Sequence, residues 1–332
     1  MNSNADQLSG EDRLIANLFA PIATHAGALG LTDDCAFITP PPGHDLVLTT
    51  DTIIGGVHFF EDDPPHAVAG KAMRVNLSDV AAKGAIPLGF LVSLALPKEI
   101  GEDWLIGFAE GLRGDADRYA CPLFGGDTVR TPGPIMVSVS MFGSLPQGTM
   151  VRRAGAKVGD RIFISGTIGD SALGLVLRRD PAKDWKLSAA DRQHLSDRYL
   201  LPQPRTALAE AVRTHVSAAM DVSDGLAGDL AKLCRVSHVA ATVEVTRIPL
   251  SDAARALIAA EPSLLDTALT GGDDYEIVCT VPPAKADGFR TAAEEANVAV
   301  TELGAIEAGQ GARFLGRDGV PFSFSRASFS HF

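Results

Sequence analysis

Asp221-Val222-Ser223-Asp224-Gly225 decides how the rest of the chain is read. The residues leading to Met220 read as a strand, and those after Gly225 read as a helix. Strand, acidic turn and helix in that order predict an α/β arrangement, in which ligands gather where strands give way to helices. Two carboxylates and a hydroxyl lead into the helix start, whose free N–H groups favour an anion. Acids beside such an anion need a bridging metal. The same five residues also read as an N-cap with acids in the first turn. Both readings stand on this stretch alone.

Aspartates recur in frames of Gly, Ser, Thr or Asn at Thr32-Asp33-Asp34, Thr49-Thr50-Asp51-Thr52, Asn76-Leu77-Ser78-Asp79, Gly125-Gly126-Asp127-Thr128 and Gly271-Gly272-Asp273-Asp274. Aspartate is the short carboxylate, and small neighbours let the backbone approach a ligand closely. Hard oxygen donors of this kind suit Mg²⁺ and Ca²⁺ rather than soft transition metals. One frame is ordinary turn chemistry. Six of them, from residue 32 to residue 274, suggest carboxylates converging on a common multi-metal site. Taken singly they read two ways. Asp33-Asp34 is a metal seat or an exposed loop, and Thr50-Asp51 offers two ligands to one ion or caps a turn. Asn76 and Asp79 share one face of a helix, which in isolation is more simply a polar face. Gly126-Asp127-Thr128 is the stronger signal, because a double glycine before an acid has little structural purpose of its own.

At 332 residues the chain exceeds what one core usually supports, which predicts two domains. Leu14, Ile15, Leu18, Phe19 and Ile22 give one apolar helical face after a start signal at Ser9, Glu11 and Asp12. Leu46 to Leu48 reads as a strand delivering Thr49 to Asp51 at its end, and residues 66–85 read as a helix. Leu88 to Leu96 reads as a strand, Trp104 to Leu112 as a helix, and Cys121 to Phe124 as a short strand ending at Gly125-Gly126-Asp127. Ile135 to Met141 alternates as a last strand. These elements make an α/β unit over residues 1–147. A connection from Gly148 to Gly159, carrying Arg152 and Arg153, opens a second α/β unit over 148–332. The arginines either neutralise phosphate oxygens or are simply solvated. In the second unit Gly166 to Ser171 is glycine-rich but lacks GxGxxG spacing, so a plain strand-to-helix turn is the better reading.

Lys plus Arg number 29 and Asp plus Glu 41, so 29 − 41 = −12, the wrong balance for a nucleic-acid groove. No stretch approaches the roughly 20 apolar residues of a membrane span. Met1 to Gly10 is polar and acidic without the pattern of a signal peptide. The cysteines, Cys35, Cys121, Cys234 and Cys279, form no CxxC pair, so a reducing cytoplasm is the expected compartment. GxxxxGK[ST], HExxH and GxSxG are all missing. Acids at this density, without a P-loop or a nucleophile, point to phosphoryl transfer assisted by several Mg²⁺ ions. A phosphate acceptor is already ionised and needs no general base, so no catalytic side chain is assigned.

The order of these motifs, together with His58-Phe59, Leu226 after Gly225 and Tyr275-Glu276 after Asp274, resembles the thiamine-monophosphate kinases. These belong to the aminoimidazole ribonucleotide synthetase superfamily, and the resemblance implies its PurM-like two-domain fold. It implies that ATP phosphorylates thiamine monophosphate to thiamine diphosphate, the last step in making that cofactor. Carried over by position, it implies Asp34, Thr49, Thr50, Asp51, Asp79, Asp127, Asp221 and Asp224 as Mg²⁺ ligands. Gly126, Asp127, Arg153 and Ser223 would contact ATP, and His58, Asp273 and Phe329 the thiamine phosphate. On residues alone, His58 reads more simply as a loop histidine. A homodimer built through the first domain is also implied. The sequence departs from the family at Thr32, where glycine is common, at Asp273, often glutamate, and at Phe329, where Tyr or Trp stacks. A selenophosphate synthetase would want a reactive Cys followed by Gly-Lys, and a hydrogenase-maturation relative a terminal cysteine where Phe332 stands. Another ATP-dependent synthetase of the superfamily, or a non-catalytic nucleotide or cation binder, are the alternatives.

Overall fold

The computed structural model describes residues 13–325. The helix-start signal at Ser9 to Asp12 and the expected substrate contact Phe329 lie outside them. The chain divides into two compact units, one running to Val80 and resuming at Ile86–Gln147, the other made of Ala81–Ala85 and the residues from Gly148 onward.

The first unit is a four-stranded sheet in the order β1-β4-β2-β3, with helices on one face. Its elements are β1 (His44–Ile54), α1 (Pro65–Ala82), β2 (Ile86–Leu96), α2 (Glu102–Arg118), β3 (Leu123–Arg130) and β4 (Met136–Pro146). β4 pairs antiparallel with β1 and β2, and β3 runs parallel to β2. Val47, Ile53, Val92, Leu94, Val137, Val139 and Met141 bury the helix-side face, together with Met73, Leu77, Phe108 and Leu112 from the helices. Each such side chain contributes about 1.5–3 kcal/mol on burial. Arg74 on α1 and Asp115 on α2 are buried as a bidentate pair, at 2.7 and 2.8 Å, each charge compensated by the other. The expected N-terminal helix is a π-helical turn, Ile15–Phe19, followed by 3₁₀ turns at Ala20–Ile22 and Ala26–Leu31.

Two expectations shift here. Thr49 to Asp51 do not end a strand, because β1 continues to Ile54. Gly125-Gly126-Asp127 likewise lies within β3, which runs on to Arg130. Strand-to-strand pairing reaches further than the local apolar run, since hydrogen bonds to β4 and β2 hold polar residues in the ladder.

The second unit carries a six-stranded sheet in the order β10-β7-β9-β5-β8-β6. Its strands are β5 (Arg161–Ser165), β6 (Ala218–Asp221), β7 (Ala240–Glu244), β8 (Ile277–Val281), β9 (Val300–Glu307) and β10 (Gly311–Leu315). Its helices are α3 (Asp170–Arg179), α4 (Ala189–Leu200), α5 (Ala209–His215), α6 (Leu226–Ser237), α7 (Asp252–Ala260), α8 (Leu264–Thr270) and α9 (Ala286–Glu295). Alternation along β5 divides the core. Ile162 and Ile164 pack with Leu226, Leu230 and Leu233 of α6, while Phe163 packs with Val212 of α5 and Phe289 of α9. Strand, turn and helix follow one another from Ala218 to Ser237 as the opening stretch predicts, with Asp221 itself closing β6.

Candidate active site

Pleat alternation sorts the acidic frames of the first unit onto two faces of its sheet. Thr49 and Asp51 point to the helix side, where the Thr49 hydroxyl donates to Asp79 Oδ2 of α1 at 2.6 Å. Thr50 points to the open side, and its hydroxyl meets Val139 O and Ser140 Oγ, both at 3.1 Å. The expected trio Thr49, Thr50 and Asp51 therefore does not present three side chains to one point. Asn76 is fully buried, donates to Ala72 O at 2.9 Å, and leaves its Oδ1 without a protein partner.

On the open face the strand register lines up Thr52, Ser138, Ser93 and Asp127 as one polar row across all four strands. Thr52 donates to Ser138 Oγ at 3.0 Å. A cleft of about 890 Å³ opens over this face, bringing Asp33 and Asp34 together with Gly125, Gly126 and Asp127. Its apolar wall includes Phe19, Leu48, Leu91 and Phe142. Cys35 also lines it and is exposed, whereas Cys121, Cys234 and Cys279 are buried. Burial pushes the Cys121 thiol up to about 12 and Cys234 up to about 11. Gly126 has a structural reason, because a Cβ there would meet Val92 O at 1.9 Å. The reading of the double glycine as purely functional is corrected on that point.

His58 sits in a tight turn after β1. Its Nδ1 accepts from Ile54 N at 3.0 Å, so a neutral ring carries its proton on Nε2. The buried Lys71 donates to His58 O at 3.0 Å and anchors the turn. Lys71 lies on α1 outside the acidic frames, and the motif reading does not mark it.

In the second unit the frames at 221–225 and 271–274 lie backbone to backbone. Asp273 N donates to Ser223 O and Tyr275 N to Val222 O, both at 2.9 Å, and Val222 N donates to Glu276 O at 2.8 Å. The approach is so close that a Cβ on Gly272 would meet Ser223 O at 2.2 Å. Asp273 (φ 70°) and Tyr275 (φ 51°) are left-handed without being glycine, a strained geometry that surrounding contacts must hold. Behind them is a buried network that the motif reading missed. Glu276, fully buried, accepts from Ser165 Oγ at 2.6 Å, from Arg198 Nη2 at 2.9 Å and from the Arg205 guanidinium. Asp274, 1 % exposed, accepts from Gly169 N with both oxygens, at 2.9 and 3.0 Å. Burial raises Asp274 well above the usual carboxylate range, against the pull of that N–H. The start of α3 is thus satisfied by the protein's own carboxylate, in keeping with a plain turn at Gly166 to Ser171.

Asp224 pairs with Lys232 of α6, which also donates to Asp229 Oδ1 at 2.8 Å. Asp229 is fully buried and accepts from Asp224 N at 2.9 Å. Burial pulls the Lys232 ammonium down, but its bonds to Asp224 and Asp229 more than offset this and leave it above the ordinary lysine value. Burial pushes Asp229 up, with Lys232 pulling partly back. The spacing Asp229-to-Lys232, three apart in a helix, is the signal that could have found the pair. Asp221 is buried in β6, and Arg153 is exposed with its carbonyl held by Ser237 Oγ at 3.2 Å.

Among the described residues no group of three or more His, Cys, Asp or Glu side chains is gathered as a ready metal site. Carboxylates with hydroxyl neighbours, such as Asp79 with Thr49 and the adjacent Asp33 and Asp34, nevertheless fit a hard cation. Mg²⁺ is characteristically held by one or two carboxylates, with phosphates and waters completing its shell.

The AIR synthase related protein family matches the chain twice, its N-terminal domain over residues 32–145 and its C-terminal domain over residues 157–316. A thiamine-monophosphate kinase of Caulobacter vibrioides is 42 % identical over 323 residues, covering 96 % of this chain and 89 % of the relative. The crystal structure of a thiamine-monophosphate kinase from Stenotrophomonas maltophilia superposes with a TM-score of 0.82 at 38 % identity, covering 93 % and 95 % of the two chains. AaThiL complexed with AMPPCP and TMP superposes with a TM-score of 0.78 at 28 % identity, covering 100 % of each chain.

Proposed function

The chain belongs to the thiamine-monophosphate kinase family of AIR synthase related proteins, and on that premise we propose how its residues divide the work. The reaction is transfer of the ATP γ-phosphoryl group to the phosphate of thiamine monophosphate, giving thiamine diphosphate and ADP. The observation that carries this is 42 % identity over nearly the whole chain.

Asp34, Asp51, Asp79, Asp127, Asp221 and Asp224 are the carboxylates that would hold Mg²⁺, with Thr49 and Thr50 beside them. Thr49 supports this role through its bond to Asp79, whereas the Thr50 hydroxyl is engaged across the sheet with Val139 O and Ser140 Oγ. Bound there, Mg²⁺ would offset the negative charge of two phosphates that otherwise repel. Gly126 and Asp127, at the cleft, and Arg153 and Ser223, in the second unit, are assigned to ATP. His58 and Asp273 are assigned to thiamine monophosphate, His58 as a donor through Nε2 because its Nδ1 is already accepting. Phe329 keeps its expected role at the substrate, outside the described residues. By this division residues 1–147 carry nucleotide, metal and dimer contacts, and residues 148–332 form the second domain. Its place of work is the cytoplasm; among the described residues no helix is long and apolar enough to cross a membrane.

A homodimer is proposed through the open face of the first sheet. Leu46, Leu48 and Leu91 are exposed there, Leu48 by 67 %, apolar side chains of the kind that a partner covers. The activity is tested by incubating purified protein with Mg-ATP and either thiamine monophosphate or free thiamine. Thiamine diphosphate is expected from the monophosphate alone, and turnover with neither acceptor would overturn the reading.

A further inference from the structure

We propose that Lys232 is a resident cation of the Asp224 carboxylate, and that its ammonium competes with a divalent metal for that carboxylate. The inference rests on the reading of Asp224 as a metal ligand. The geometry points to it in three ways. Lys232 Nζ donates to Asp224 Oδ2, so the tethered ammonium already offsets the charge of the carboxylate that a metal would use. It donates at the same time to Asp229 Oδ1 at 2.8 Å, and Asp229 is fully buried and itself accepts the Asp224 N–H at 2.9 Å. Asp229 therefore offers the ammonium a second seat when Asp224 is taken. Finally, the Lys232 side chain is 29 % exposed and carries a flexible four-carbon stem, so it can leave one oxygen without unfolding α6.

This makes Lys232 a positioning residue that sets how much metal the Asp224 site needs. The ammonium and a divalent ion carry like charge and draw on the same carboxylate, so the metal's apparent affinity is reduced by the stability of the ion pair that it weakens. The pair is partly exposed, and such pairs contribute modestly. Removing the charge should therefore strengthen metal binding by about fivefold, the ratio that a modest ion pair sets. Arginine at this position keeps the charge and should keep the wild-type behaviour.

Mn²⁺ binding to the full-length protein, followed by electron paramagnetic resonance in the presence of a non-hydrolysable ATP analogue, tests this independently of turnover. The expected result is about fivefold tighter Mn²⁺ binding in Lys232→Met, unchanged binding in Lys232→Arg, and weakened binding in Asp224→Asn. Unchanged or weaker binding in Lys232→Met, with Asp224→Asn still weakened, would overturn the role of Lys232 and leave Asp224 a ligand. Wild-type Mn²⁺ binding in Asp224→Asn would remove Asp224 from the metal site, and the inference with it.

Discussion

Thr49 and Thr50 are chemically identical neighbours, yet the pleat turns one hydroxyl to Asp79 and the other to Ser140. The Thr49 bond, at 2.6 Å, fixes one oxygen of a carboxylate proposed to hold metal. Losing such an orienting partner typically costs about 10- to 100-fold in metal affinity or activity. Thr49→Val is accordingly expected to raise the Mg²⁺ needed for half-maximal turnover by about 10-fold or more, with Thr49→Ser close to wild type. An unchanged Mg²⁺ dependence in Thr49→Val would release Thr49 from this role. The identities of the acidic residues were legible from their small neighbours. Their directions were not, because alternation is set by a strand register to β4 that lies about ninety residues further along the chain.

Among the elements, the paired loops before α6 and before β8 were visible as motifs, while the network that presses them together was not. Glu276 finds Ser165, Arg198 and Arg205 from three separate segments, contacts that no local pattern announces. Asp274 is the member of this network with the clearest pH signature. Its folded value lies well above the unfolded 3.8, so the native state holds this proton where the unfolded chain has released it. Its contribution is therefore greatest below pH 3.8 and is lost as pH rises through the folded value. Asp274→Asn cannot release a proton there. Denaturant unfolding of both proteins from pH 4.5 to pH 8 is expected to show wild-type stability declining relative to the variant as pH rises. Parallel curves would mean that Asp274 titrates alike in both states.

For the whole molecule, two α/β units follow from length and from the order of apolar segments. The four strands of the first sheet overlap the runs read there, whereas β7, β9 and β10 of the second sheet were not read from the sequence. The reassignment of Ala81–Ala85 to the second unit was not legible, since these residues continue the helical pattern of α1 and only long-range packing, such as Lys83 Nζ to Ala219 O at 2.9 Å, sets them apart. Association is a property at this scale too. If the open sheet face joins two copies, Leu48→Asp puts a charge on its most exposed apolar side chain. Dimer affinity measured by analytical ultracentrifugation is then expected to weaken by about 30-fold or more, the size of a single anchoring residue. A monomer in the wild-type protein at micromolar concentration would exclude that contact.

The four thiols divide the molecule in a way that chemistry can use. Three are sealed in the cores, while Cys35 stands exposed on the rim of the cleft, one residue from Asp34. The chain thus brings its own attachment point to the place where nucleotide is expected. A fluorophore or spin label can be coupled there with no cysteine added and none removed, and it would report from beside Asp33 and Asp34 while every buried thiol stays silent.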